Sequence, residues 1–95
     1  MNKNELKLKI EQETYYIRRM FESCKTLEQV KNANRLACSL VDKWGWYTGH
    51  FGLSDSFDLD RLITSAADDM TQFYGQAKDR IFRINGGVVK IGNWD

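Results

Sequence analysis

The residues that could perform chemistry in this chain are few, and they are not spaced as a catalytic site requires. His50 is the only histidine, and Cys24 and Cys38 are the only cysteines. These three side chains lack the short, paired spacing of a zinc site, and no motif for nucleophilic catalysis surrounds His50. The sequence therefore predicts that the protein is not an enzyme and that it uses neither a metal nor another cofactor.

A group of acidic and hydroxyl residues lies at the start of the longest predicted helix. Asp55, Asp58 and Asp60 alternate as calcium ligands do, but the glycine and the closing glutamate of a calcium loop are absent. Ser54 and Ser56 are better placed to cap a helix than to act as nucleophiles. We expect this group to begin a helix rather than to bind a metal.

The most unusual stretch is rich in aromatic side chains. Five ring-bearing residues fall within eight positions: Trp44, Trp46, Tyr47, His50 and Phe51. Gly45 is expected to end the preceding helix, which makes the stretch a loop. One interpretation buries both tryptophans as a small core beneath this loop. The other makes the five residues a partner-binding surface, because tryptophan and tyrosine are favoured anchors of protein interfaces.

The same rings admit a third interpretation, in which they stack on nucleic-acid bases or on a nucleotide. Phosphate contacts would then come from Arg18, Arg19 and Lys43. The formal net charge is only +1, so the composition gives no general support for nucleic-acid binding. Nucleic acid is therefore the alternative partner, and a protein is the favoured one.

Length and composition describe one small globular domain over residues 1–95. The chain is 42% hydrophobic and 13% aromatic, and it contains no proline, which suits long uninterrupted helices. Two cysteines are too few for a disulfide framework, so we expect reduced thiols and a cytoplasmic protein. No apolar segment reaches the roughly 20 residues that span a bilayer, and no secretory leader is expected.

Three amphipathic patterns predict a mainly α-helical fold. Helices are expected over about 4–24, 27–44 and 57–80, with apolar residues at the i, i+3, i+4, i+7 spacing. The short connection after the first helix predicts an antiparallel hairpin, which packs on the long third helix. Glu13 lies beside the apolar seam of the first helix, where its carboxylate either turns to solvent or pairs with Arg35.

The second helix opens with a capping box, Thr26-Leu27-Glu28-Gln29, in which the first and last side chains each accept a backbone hydrogen bond. Together with Val30, Ala33, Leu36 and Ala37, this pattern resembles segments in small helical accessory proteins of T4-like tailed phages. The resemblance implies a host-takeover or defence-blocking protein that acts by binding. It carries over no functional residue.

The C-terminal residues 81–91 predict a β-hairpin about Gly86 and Gly87. The competing interpretation continues the third helix to Asn85. Phe82 falls nearly opposite the apolar stripe of that helix, which favours leaving the helix near residue 80.

The predicted fold is therefore mainly α, an antiparallel helix hairpin packed on one long helix, with a short C-terminal β-hairpin. The predicted function is that of a small non-enzymatic binding protein, phage-encoded if the resemblance holds, which inhibits or modulates a host or defence protein by direct contact. Gly75, on the outer face of the long helix, and the predicted hairpin also suggest a homodimer.

Overall fold

The computed structural model describes residues 1–84, which form three α-helices. Helix α1 spans Lys3–Ser23, α2 spans Leu27–His50 and α3 spans Phe57–Ile84. The prediction of a mainly helical fold, with a helix hairpin packed on a long third helix, is confirmed. Each helix packs against the other two, and α2 runs antiparallel to α1 and α3.

Side-chain caps fix where the helices begin. The Asn2 side chain accepts from the Glu5 backbone N–H at 2.8 Å at the start of α1. At the start of α2, the Thr26 hydroxyl accepts from the Gln29 N–H at 3.1 Å, and the Gln29 side chain accepts from the Thr26 N–H at 3.3 Å. The predicted capping box is therefore confirmed. Ser56 accepts a first-turn N–H of α3 at 3.4 Å, as expected of a cap.

The end of α2 differs from the prediction, because the helix passes through Gly45 and continues to His50. Glycine inside a helix costs only about 1 kcal/mol, and burial of the neighbouring apolar face outweighs that cost. The glycine that terminates the helix is instead Gly52, two residues after His50, whose φ is +68°. The Gly52 N–H donates to the Gly49 carbonyl and the Leu53 N–H to the Thr48 carbonyl, at 3.2 and 2.8 Å. This is a Schellman motif, which glycine favours because it lacks a Cβ atom.

The core lies along the axis where the three helices meet. Every predicted apolar stripe contributes to it, and its largest fully buried side chains are Trp44, Phe21, Leu6, Ile10, Ile17, Leu59 and Val30. The described residues bury no polar or charged residue in this core. The amphipathic patterns of the sequence therefore identified the packed faces correctly.

The C-terminal part of α3 also differs from the prediction. Residues 81–84 are helical rather than the first strand of a hairpin, and the rest of the predicted hairpin lies outside the described residues. Ile81 is buried one turn after Ala77, so the core stripe continues past residue 80. Phe82 is half-buried on the flank of the helix, and Arg83 pairs with Asp79 at 3.2 Å. Core burial and this i, i+4 pair support the extra turn.

Polar contacts tie α1 to both ends of α3. Near the N-termini, the Lys3 ammonium donates to the Asp58 carboxylate at 3.0 Å, which lowers the pKa of that exposed carboxyl. Near the C-termini, the Arg80 guanidinium donates to the carbonyls of Phe21 and Cys24 at 2.9 and 2.8 Å. The Cys24 N–H also donates to the Phe21 carbonyl at 3.2 Å, so Arg80 adds a second hydrogen bond there and helps to cap the end of α1.

Within residues 1–84, none of the helices combines the length and apolar character needed to cross a membrane.

Candidate functional site

Because α2 continues to His50, the aromatic stretch is the last part of a helix rather than a loop. In a helix, residues two apart differ by about 200° in direction. Trp44 and Trp46 therefore point to opposite sides of α2. Trp44 is 0% exposed and belongs to the core, whereas Trp46 is 59% exposed. Trp44 is buried, as the core interpretation expected, so it is not part of an exposed surface; Trp46 is exposed, which contradicts the core interpretation for that residue.

Four rings at the end of α2 contact one another and form what we call the aromatic cluster: Trp46, Tyr47, His50 and Phe51. Trp46 stacks on His50, with ring centroids 4.5 Å apart and planes 10° from parallel. Tyr47 stacks on Phe51 at 5.9 Å. Edge contacts join the two stacks, Trp46 to Tyr47 at 5.3 Å and His50 to Phe51 at 4.8 Å.

The helix itself produces this arrangement. Each stack joins residues four apart, which lie one above the other on a helix surface. Tyr47 packs against the core and, like Phe51, is half-buried, whereas Trp46 and His50 are exposed. The cluster therefore has an anchored inner stack and an outer stack in solvent. All four rings come from the last turn of α2 and its C-cap, so their contacts form within one element of the chain.

Two lysine side chains lie near the Tyr47 ring of the inner stack. The Lys43 ammonium lies 5.6 Å from the centroid of the Tyr47 ring, and the Lys9 ammonium lies 6.0 Å from it. These distances are within the range of cation–π attraction. Lys43 was one of the three predicted phosphate contacts, and the structure places it beside the cluster. Lys9, which comes from α1, was not predicted, because nothing in the local sequence reports a contact between helices.

The other two predicted phosphate contacts lie elsewhere on α1. Arg18 has its guanidinium 5.9 Å from the Phe73 ring on α3 and its Nε 3.8 Å from the Glu22 carboxylate. Arg19 is exposed. The structure therefore does not gather Arg18 and Lys43 around one site.

Trp44 is linked to α1 by a hydrogen bond that was not predicted. Its indole N–H donates to the Glu13 carboxylate at 2.9 Å, and the Lys9 ammonium lies 3.7 Å from the same oxygen. Both sequence-based expectations for Glu13 are therefore wrong, because its carboxylate neither turns to solvent nor pairs with Arg35. The bond satisfies the single polar group of a buried tryptophan, and it helps to set the position of α2 along α1 beneath the cluster.

The remaining reactive side chains are separate from the cluster and from one another. Cys24 is buried and Cys38 is exposed, and both thiols are free, as predicted. Burial raises the pKa of the Cys24 thiol, an effect that the nearby Arg80 charge partly offsets. Over residues 1–84, no group of three or more His, Cys, Asp or Glu side chains is placed to hold a metal ion.

No protein-family model matches the chain, and neither a curated protein nor a solved structure shows significant similarity to it.

Proposed function

We propose that this is a small non-enzymatic binding protein that contacts a protein partner through the aromatic cluster. The observation that carries the proposal is Trp46, which is 59% exposed and stacks on His50. An exposed tryptophan supplies a large contact area, and its stacking on a neighbouring ring reduces the conformational entropy that binding would cost.

The resemblance of the α2 capping segment to accessory proteins of T4-like phages suggests the class of partner. The partner would be a host or defence protein, which this chain inhibits or modulates by occupying a surface. The chain would be phage-encoded and would act in the host cytoplasm. Homodimerisation, expected from the sequence, is compatible with such a role and belongs to the same proposal.

Nucleic-acid binding is the second candidate, and the two lysines beside Tyr47 favour it. Lys9 and Lys43 could contact phosphates while the outer rings stack on bases. Such binding would weaken steeply with salt, because each phosphate contact releases counterions. Binding of a protein to Trp46 would depend far less on salt.

The test is a capture experiment with matched variants. Tagged wild-type protein is incubated with host lysate, and captured proteins are identified and then purified for titration. Trp46→Ala should weaken binding by 2 kcal/mol or more, about 30-fold in affinity. The control is Phe57→Ala, which removes another exposed ring, one that lies beneath Arg61 on α3 and outside the cluster.

A labelled oligonucleotide, titrated at several salt concentrations, separates the two candidates. Affinity that falls steeply with salt and is lost in Lys43→Ala would favour nucleic acid. A captured protein that binds Trp46→Ala and wild type equally would contradict the proposed surface.

A further inference from the structure

A second exposed apolar surface lies on α1, on the side that faces away from the core. Leu8, Tyr15 and Tyr16 are 54%, 61% and 58% exposed. Their i, i+7, i+8 spacing places them on one helix face, as in the seam of a paired helix. Several large apolar side chains left in water on one helix face are typical of an interaction surface. We call these three residues the α1 stripe, and none of them belongs to the aromatic cluster.

The residues around the α1 stripe are arranged symmetrically about Gln12. Leu8 lies four residues before Gln12 and Tyr16 four after it, while Glu5 lies seven before and Arg19 seven after. All five are exposed. Neither Glu5 nor Arg19 forms an ion pair within residues 1–84. This surface therefore presents opposite charges at its two ends, with apolar groups between them.

We propose that two copies of this chain associate through α1, packed antiparallel about a two-fold axis at Gln12. In that arrangement each Glu5 lies opposite Arg19 of the other copy, and each Leu8 lies opposite a Tyr16. A parallel arrangement would instead bring like charges together. Two-fold self-complementary contacts are the commonest form of soluble oligomer. Glu5, Leu8, Tyr16 and Arg19 thus match a second copy in charge, order and spacing, while Tyr15 lies opposite Lys9 of the other copy.

This assignment places self-association on α1 rather than around Gly75 on α3. A single helix of 21 residues offers a small interface, so the dimer is weak and forms at micromolar or higher concentration. One contact opposes the dimer. Glu11 lies beside the α1 stripe, and near the two-fold axis it approaches Glu11 of the other copy. Glu11→Gln is therefore expected to tighten the dimer, a gain that damage to the fold would not produce.

Cysteine cross-linking tests the predicted axis directly. Helices packed about 8–10 Å apart bring facing Cα atoms at the axis to about 3.5–5.5 Å, which overlaps the range that a disulfide spans. Gln12→Cys, made in a Cys38→Ser background, should therefore form a disulfide-linked dimer under mild oxidation. Ser23→Cys in the same background is the control, because its copies would lie about 33 Å apart.

Sedimentation velocity of charge variants tests the same geometry in solution. Arg19→Glu should weaken the dimer at least about tenfold, since it faces Glu5 of the other copy. Glu5→Arg combined with Arg19→Glu should restore the dimer, and Phe57→Ala should leave it unchanged. The proposal is overturned if wild type stays monomeric at high micromolar concentration. It is also overturned if the double variant is no better than Arg19→Glu, or if Gln12→Cys cross-links no faster than Ser23→Cys.

Discussion

The hydrogen bond between Trp44 and Glu13 links α2 to α1 at the base of the aromatic cluster, and its removal should have a measurable cost. Trp44 has no exposed surface, and its indole N–H donates to the Glu13 carboxylate at 2.9 Å. Glu13→Ala leaves this buried N–H without an acceptor. Glu13→Gln retains an acceptor oxygen at the same reach and removes only the charge.

The expected magnitude follows from the burial of the donor. An unsatisfied buried donor costs about 1–3 kcal/mol, which is a large share of the roughly 5–15 kcal/mol that stabilises a domain. The accompanying ion pair between Lys9 and Glu13 adds little, because it is 3.7 Å long and partly solvated. We therefore expect Glu13→Ala to cost about 1–3 kcal/mol and Glu13→Gln less than about 1 kcal/mol.

Urea unfolding of a double-mutant cycle with Trp44→Phe measures this bond. For a small domain with an m value of about 1–1.5 kcal/mol/M, a 2 kcal/mol loss lowers the midpoint by about 1.3–2 M. In the Trp44→Phe background the donor is absent, so Glu13→Ala should cost much less than it does in wild type. The reasoning is refuted if the coupling energy is near zero, or if Glu13→Gln is as destabilising as Glu13→Ala.

Four further predictions concern the helix ends and the thiols. Thr26→Ala should destabilise the protein by roughly 0.5–2 kcal/mol, and an unchanged urea midpoint would show that Thr26 does not cap α2. Arg80→Ala should cost about 1–3 kcal/mol and Arg80→Lys less, since Arg80 donates to two carbonyls at the end of α1; equal loss in both would contradict this role. At neutral pH a thiol reagent should modify exposed Cys38 well before buried Cys24. The folded-state pKa of Cys24 is raised, so its contribution to stability is present below the unfolded thiol pKa and is lost as the pH rises through the folded-state pKa. The urea midpoint of Cys24→Ala should therefore fall less at alkaline pH than that of wild type.

Helix starts were predictable from the sequence because they depend on neighbouring residues. Thr26 and Gln29 cap α2 through contacts three residues apart. Helix ends were less predictable because tertiary burial decides them. Gly45 has the residue type of a stop signal, yet burial of Trp44 keeps the helix intact, and the stop falls at Gly52. Ile81 extends α3 for the same reason.

The candidate site was predictable in composition but not in geometry. The sequence singled out five neighbouring rings, and four of them, Trp46, Tyr47, His50 and Phe51, do contact one another. The sequence could not distinguish the buried Trp44 from the exposed Trp46, because their different burial depends on the stretch being helical. The contribution of Lys9 comes from another helix, and no local pattern records such a contact.

The measurement that tests the proposed contact surface most directly is the effect of Trp46→Ala on folding and on binding, determined side by side. Because Trp46 lies outside the core, the free energy of unfolding should fall by well under 2 kcal/mol, while partner binding loses 2 kcal/mol or more. Trp44→Ala provides the opposite reference, with an expected stability loss of about 3–5 kcal/mol. A collapsed urea midpoint for Trp46→Ala, together with unchanged partner affinity, would contradict the account and place Trp46 in the core.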